Sequence, residues 1–265
     1  MPPLLPTLHV LPQGRVDEEG TMIELRNVHK RFGDLVVLDG VDFDVHKGET
    51  VALLGPSGGG KSVLIKHING LLRPDSGTVL VDGMDVTHLK RKELAKLRSR
   101  IGYVFQFGAL FDSMDVSGNI RLGITDNDCA SDDSYCWNRV LECLDLVNLP
   151  RETAAKYPAD LSGGMRKRVG LARAIAGNPT YLLYDEPTSG LDPVNADIID
   201  ALVEKLQDEL GATSVMVTHD VRGSFRVADR VALLWGGRIH AVGTPQELRE
   251  STDDAVRQFL ERDLG

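Results

Sequence analysis

The chain has 265 residues, 42% apolar, 26% charged and 5% aromatic, with 30 Lys and Arg against 39 Asp and Glu for a net charge of −9. This is enough apolar residue to bury a core and too much for a disordered chain. The acidity argues against a nucleic-acid binder, which needs surplus cations to displace phosphate counterions, and no apolar run approaches the roughly 20 residues that cross a bilayer.

Residues 1–20 open on Pro2, Pro3, Pro6 and Pro12, and their first basic residue is Arg15. A secretory signal needs a basic start and an unbroken apolar stretch, so this segment reads as a flexible extension. Strands and helices then alternate. Val41, Phe43 and Val45 interleave with Asp42, Asp44 and His46, the period of a half-buried strand. TVALL (50–54) is a short buried strand, followed by a glycine-rich turn and a helix over VLIKHINGLL (63–72). GTVLVDG (77–83), YLLYD (181–185), SVMVT (214–218) and VALLW (231–235) read as further strands, with a helix over 194–210. Such alternation predicts a largely parallel sheet covered on both faces.

The region from about 107 to 160 carries few strand signals. Trp137, Val140, Leu141, Leu144 and Val147 fall at helical spacing, which predicts an inserted helical lobe with this stripe in its core. Cys129, Cys136 and Cys143 recur every seven residues. On a helix neighbours would stand about 10.5 Å apart, too far to share a zinc ion, so all three read as reduced packing residues.

Three motifs carry chemistry. Gly55, Pro56, Ser57, Gly58, Gly59, Gly60, Lys61 and Ser62 match G-x-x-x-x-G-K-[ST] between a strand and a helix, the context of a phosphate-binding loop. Glycines let backbone N–H groups close around phosphate oxygens, the helix presents its positive end, Lys61 can reach the β- and γ-phosphates of a nucleoside triphosphate, and Ser62 can ligate Mg²⁺. YLLYDE (181–186) ends an apolar strand in Asp185, suited to Mg²⁺, and Glu186, suited to orienting or deprotonating water. In LSGGM (161–165), Ser162, Gly163 and Gly164 open a helix as a second anion site. Two such sites either bind two anions or share one across a dimer. Arg166, Lys167 and Arg168, next in line, read as a solvated face without a ligand role.

With Gln106, SGLD (189–192) and His219, these motifs resemble in order and spacing the ATP-binding subunits of ABC transporters, over roughly residues 22–245. The resemblance implies an α/β P-loop NTPase fold of ABC type. Its mixed-sheet domain would span 21–250, with a helical subdomain over about 107–178 and a C-terminal tail over 251–265. It implies that Phe32 stacks on adenine and that Gln106 joins Mg²⁺ and the attacking water to the helical lobe. Ser162, Gly163 and Gly164 would contact the γ-phosphate held by a second copy, Asp192 would lie at that dimer interface, and His219 would touch the γ-phosphate. Catalysis would fall to Lys61, Gln106, Glu186 and His219, and Mg²⁺ to Ser62, Gln106 and Asp185. Met165 stands where the family usually has Gln, which should leave hydrolysis possible.

GKSVLIKHINGLLRPDSG (60–77), FQFGALF (105–111) and the run 161–193 are similar to the ATPases of Mla/MCE-type lipid transporters, close to the MlaF group. The Gly-Ala-Leu-Phe at 108–111 and Met165 are the telling positions, and VRQFL (256–260) is similar to that group's ending. The implied cargo is phospholipid moved between bacterial membranes. The implied partners are a second copy, a MlaE-like permease, an MCE-domain protein and a STAS-type subunit, with the chain peripheral on the cytoplasmic face of the inner membrane and no nucleic acid bound. The alternatives are another ABC importer, such as one for amino acids, and a regulatory ABC ATPase of the cell-division type.

Overall fold

The computed structural model describes residues 20–124 and 133–264. The N-terminal extension up to 19 and Cys129 lie outside the described residues. Two sheets form the frame. The first is antiparallel, in the order β2-β1-β4-β5, from β1 (Thr21–Phe32), β2 (Leu35–His46), β4 (Ser76–Val81) and β5 (Met84–Asp85). The second has the order β10-β9-β3-β8-β7-β6, from β3 (Thr50–Leu54), β6 (Ile101–Val104), β7 (Tyr181–Asp185), β8 (Thr213–Val217), β9 (Arg230–Trp235) and β10 (Arg238–Gly243). Its first five-strand run from β6 to β9 is parallel, and β10 returns antiparallel to β9. That return turns on Gly236 and Gly237, at φ 57° and 78°, the left-handed backbone a two-residue hairpin needs. The fold is α/β with a mixed sheet, as expected. The largely parallel expectation holds for the second sheet and misses the antiparallel layer, whose pairings join distant segments.

Every residue of β3, β7 and β8 is buried, as in central strands packed on both faces. The two-residue period splits their side chains between two cores. Val51, Leu53, Tyr181 and Leu183 pack with Ile23, Leu25, Val41 and Phe43 of the antiparallel sheet and with Leu64 and Ile65 of α1 (Lys61–Ile68). Ala52, Leu54, Leu182 and Tyr184 face the other way, into a core shared with the remaining helices. Helix α1 stops at Ile68, short of the predicted NGLL, because Gly70 takes φ 64° and leaves the helical path. A second surface helix, α2 (Arg91–Arg98), leads into β6.

Between β6 and β7 the described residues form α3 (Val116–Arg121), α4 (Asp133–Leu146), 3₁₀ turns at 151–155 and 158–160, and α5 (Gly163–Ile175). The buried stripe of α4 runs through Cys136, Val140, Cys143, Leu144 and Val147. Trp137, expected in it, is 44% exposed. Val140, Leu144 and Val147 lie in the stripe as expected, while Cys136 and Cys143 take the places expected of Trp137 and Leu141 and leave the large indole out. The cysteine reading holds for Cys143, a free buried thiol, and needs correcting for Cys136, which is buried but held in a disulfide; the helix begins only at Asp133. Buried Arg139 donates to the carbonyls of Ile175 and Ala176 and to Asn178 Oδ1, closing the C-terminal end of α5.

After β7 come α6 (Pro193–Leu210), α7 (Val221–Val227), α8 (Pro245–Arg249) and α9 (Asp254–Leu264). Residues 251–265, set apart by the sequence as a tail, are largely this last helix. Val256, Phe259 and Leu260 are buried, and Phe259 meets Trp235 edge to face at 6.4 Å. Among the described residues no helix is long and apolar enough to cross a membrane.

Candidate functional site

Because β3, β7 and β8 run parallel as neighbours, their C-terminal ends open on one edge, where open α/β sheets place ligands. The loop 55–60 leaves β3 there. Gly55 has φ 153°, and a Cβ on it would lie 2.3 Å from the Leu234 carbonyl oxygen. Gly60, at φ 97°, turns the chain into α1. Both positions require glycine.

Lys61, 4% exposed, donates from Nζ to the carbonyls of Gly55 (2.8 Å) and Pro56 (3.1 Å) and stands 4.0 Å from Glu186 Oε1. Burial lowers its pKa, while Glu186 and Asp185 oppose that shift. Ser62 Oγ donates to Asp185 Oδ1 at 2.6 Å, and the Tyr103 hydroxyl on β6 donates to Asp185 Oδ2 at 3.0 Å. Burial first, then the Asp185 charge, pushes the Tyr103 phenol far above its ordinary range, so it stays a donor. Glu186 takes φ 49°, strained for a residue with a Cβ, and its N–H bonds the Val217 carbonyl at 2.8 Å. Its Oε2 lies 3.1 Å from Nδ1 of His219, just beyond β8.

A cleft of about 220 Å³ is lined by Phe32, Val37, Gly58, Gly59, Gly60, Lys61, Ser62, Val63 and Glu186. Phe32, at the end of β1, is half exposed, with Lys30 Nζ 5.5 Å from its ring centre. One wall can thus take a flat aromatic ligand and the other an anion, cradled by loop N–H groups, the helix end and Lys61. The oxygen donors of Ser62 and Asp185 suit Mg²⁺, which takes one or two protein oxygens and fills its remaining positions with water and phosphate.

The second motif lies elsewhere. Ser162 caps α5, its Oγ accepting from the Met165 N–H at 3.2 Å. Gly164 is pressed on α6, where a Cβ would lie 2.6 Å from Asn195 Oδ1. Asn195 Nδ2 donates to Asp192 Oδ2 at 2.6 Å, and Asp192 caps α6 by accepting from the N–H groups of Val194 and Asn195. Ser162 and Gly163 are exposed, and Met165 packs against the core beneath. Gln106 Nε2 donates to Ser189 Oγ at 3.3 Å. The edge therefore gathers Phe32, Lys61, Ser62, Asp185, Glu186 and His219. Ser162, Gly163, Gly164, Gln106 and Asp192 do not line the cleft.

Two residues at this edge escape the sequence reading. Tyr103 gave no local signal, since it meets Asp185 only through the pairing of β6 with β7. Lys167 belongs to the run read as a solvated face, yet it is buried. It donates to the carbonyls of Gln106 and Glu186 (3.3 Å to the latter), and burial pushes its pKa down to about 8 against the pull of Glu186. Its position three residues after Gly164 and four before Leu171, both buried, was the available signal. Arg166 and Arg168 donate to the Leu161 and Asn148 carbonyls.

A family model described as ABC transporter matches residues 38–189. Over 239 residues the chain is 38% identical to the intermembrane phospholipid transport system ATP-binding protein MlaF of Haemophilus influenzae, covering 90% of each chain. It is 40% identical over 236 residues to the methionine import ATP-binding protein MetN of Rhizobium johnstonii, covering 89% of this chain and 64% of that one. Among solved structures, a dimeric ATP-binding cassette in a post-hydrolysis state, bound to ADP and Pi, matches with a TM-score of 0.74 at 33% identity, covering 84% of this chain and 99% of that chain.

Proposed function

The chain is an ATP-binding, ATP-hydrolysing member of the ABC transporter family, and on that premise we propose that it drives phospholipid transport between bacterial membranes. The observation that carries the catalytic reading is the meeting of Lys61, Ser62 and Glu186 at one cleft, with Asp185 bonded to Ser62. The cargo reading is supported by the likeness to MlaF over nine-tenths of both chains and by the Gly-Ala-Leu-Phe and Met165 positions. The likeness to MetN favours an amino-acid importer as the second reading.

In this mechanism Phe32 stacks on adenine, and the loop from Gly55 to Gly60, with Lys61, holds the β- and γ-phosphates. Ser62, Asp185 and Gln106 would hold Mg²⁺, which supplies charge neutralisation on the phosphate oxygens when bound. Glu186 Oε accepts a proton from the attacking water, and His219 orients that carboxylate through Nδ1. The phosphoryl group needs little covalent help, so positioning and electrostatics do most of the catalysis. The Ser162–Gly163–Gly164 turn of a second copy covers the γ-phosphate, a reading supported by the exposure of Ser162 and Gly163 and by their distance from their own cleft. Asp192, docked behind the same turn, lies at that interface.

The second copy and a transmembrane permease form the core assembly, with a MlaE-like permease, an MCE-domain protein and a STAS-type subunit as its members. The chain sits on the cytoplasmic face of the inner membrane. Purifying it with its partners from detergent-solubilised membranes tests the cargo. Glycerophospholipid together with a permease and an MCE-domain protein is expected. A permease with a solute-binding protein and no enriched lipid would overturn the lipid reading in favour of the importer.

A further inference from the structure

One face of α5 grips the loop that follows β6. Lys167, Gly170 and Arg173 are spaced three apart, so they lie along the same side of the helix. Lys167 Nζ donates to the Gln106 carbonyl. Arg173 donates to the carbonyls of Gly108 (2.7 Å) and Ala109 (2.6 Å). Between them a Cβ on Gly170 would lie 3.1 Å from Gly108 Cα, so helix and loop backbones touch directly.

Lys167 differs from Arg173 in having a second partner outside this loop, just beyond the end of β7. Its Nζ also donates to the Glu186 carbonyl at 3.3 Å. That carbonyl belongs to the residue held at φ 49°, whose N–H is tied to Val217. The strained peptide is thus pinned on both sides, from β8 and from α5. Lysine is almost never fully buried without an acidic partner, yet Lys167 is 6% exposed and its two partners are both carbonyls. An apolar side chain here would leave both carbonyls without this donor, and the backbone they belong to is that of Gln106 and Glu186, both placed in the catalytic reading.

We propose that Lys167 is a positioning residue for ATP hydrolysis: it ties the helix opened by Ser162 to the backbone of Gln106 and Glu186, and so sets the direction in which the Glu186 carboxylate points. Lys167 reaches neither nucleotide nor water and acts only through those two carbonyls. This rests on the ATPase reading above, in which Glu186 takes the proton from water. An ångström of drift in such a carboxylate costs on the order of a hundred-fold in rate, whereas the Lys61 loop that binds the phosphates is untouched.

The test uses the full chain, with steady-state hydrolysis against ATP concentration, binding of a fluorescent ATP analogue, and thermal unfolding. In Lys167→Met, kcat should fall roughly ten- to a hundred-fold, with KM and analogue affinity close to wild type, the pattern of an interaction realised in the transition state. Lys167→Arg, which can still donate to two carbonyls, should recover most of the loss. Wild-type kcat in Lys167→Met overturns the proposal, as does a loss matched by equal loss of analogue binding, or an Arg variant that folds and is no better than Met. Should Lys167→Met fail to fold, Lys167→Gln, whose amide nitrogen ends one bond short of the position of Lys167 Nζ and so loses its reach to the two carbonyls, is read by the same criteria. A wild-type chain without ATP hydrolysis would instead refute the ATPase reading, leaving the two failures distinct.

Discussion

Replacing Glu186 by Gln isolates the proton-accepting step, because the amide keeps the length of the side chain and an oxygen for His219 Nδ1, now 3.1 Å from Oε2. The strained φ of 49° costs Glu and Gln alike, about 1–2 kcal/mol, so folding stability should hardly change. A general base contributes about 10²- to 10⁴-fold, which at 1.36 kcal/mol per decade is roughly 3–5 kcal/mol of barrier. Binding should move the other way. Glu186 Oε1 lies 4.0 Å from Lys61 Nζ, and two unit charges at that separation attract by on the order of a few kcal/mol near a protein surface. Removing the carboxylate charge leaves the ammonium more available to phosphate, so ATP should bind at least as well and hold two copies together. Phosphate release, ATP affinity and sizing in ATP measure the three quantities. Normal turnover would rule out Glu186 as the base, and turnover lost only in step with ATP affinity would refute the charge argument.

Two further substitutions test the frame. A Cβ on Gly123 would lie 1.9 Å from the Arg173 carbonyl oxygen, where the turn after α3 rests on α5. Gly123→Ala should therefore cost about 1–3 kcal/mol by overpacking, several degrees of Tm in a chain of this size, and an unchanged thermal midpoint would contradict that contact. Burial pushes Asp200 up to about 6 from 3.8, helped by Asp220 and Asp197 and opposed by Arg226. The folded chain thus keeps a proton that the unfolded chain has released, so stability should fall as pH rises from about 4 to 6, by up to about 3 kcal/mol. Asp200→Asn should flatten that part of the profile; denaturant unfolding at several pH values that shows the same slope in both proteins would refute it.

The phosphate loop was readable from the sequence because strand, turn and helix are contiguous, and glycine and lysine there answer to a local geometry. The same holds for Asp185 and Glu186 at a strand end and for the helix that Ser162 opens; the capping of α6 by Asp192 was not read from the sequence. Patterns that depend on which face of a helix meets the core were read less well. In the α4 stripe Val140, Leu144 and Val147 were read correctly, but Trp137 and Leu141 were put where Cys136 and Cys143 are buried. Arg166, Lys167 and Arg168 looked alike as a charge run, though only Lys167 is buried. The C-terminal segment passed for a tail because five apolar residues in eleven show no partner until Trp235 and the core are placed beside them.

By itself, then, the sequence determined the local cradles: the turn that can wrap a phosphate, the carboxylates after an apolar strand, the capped helix that offers a second anion site. Each is specified within about ten neighbouring residues, where chain connectivity does the positioning. Only the tertiary structure decided which of them share an edge, through the parallel pairing of β6, β7, β8 and β3. It alone brought Tyr103 to Asp185 and Lys167 to Gln106 and Glu186. Those contacts span up to 82 residues, and hydrogen bonds at such separation depend on packing rather than on any pattern a neighbour in sequence can show.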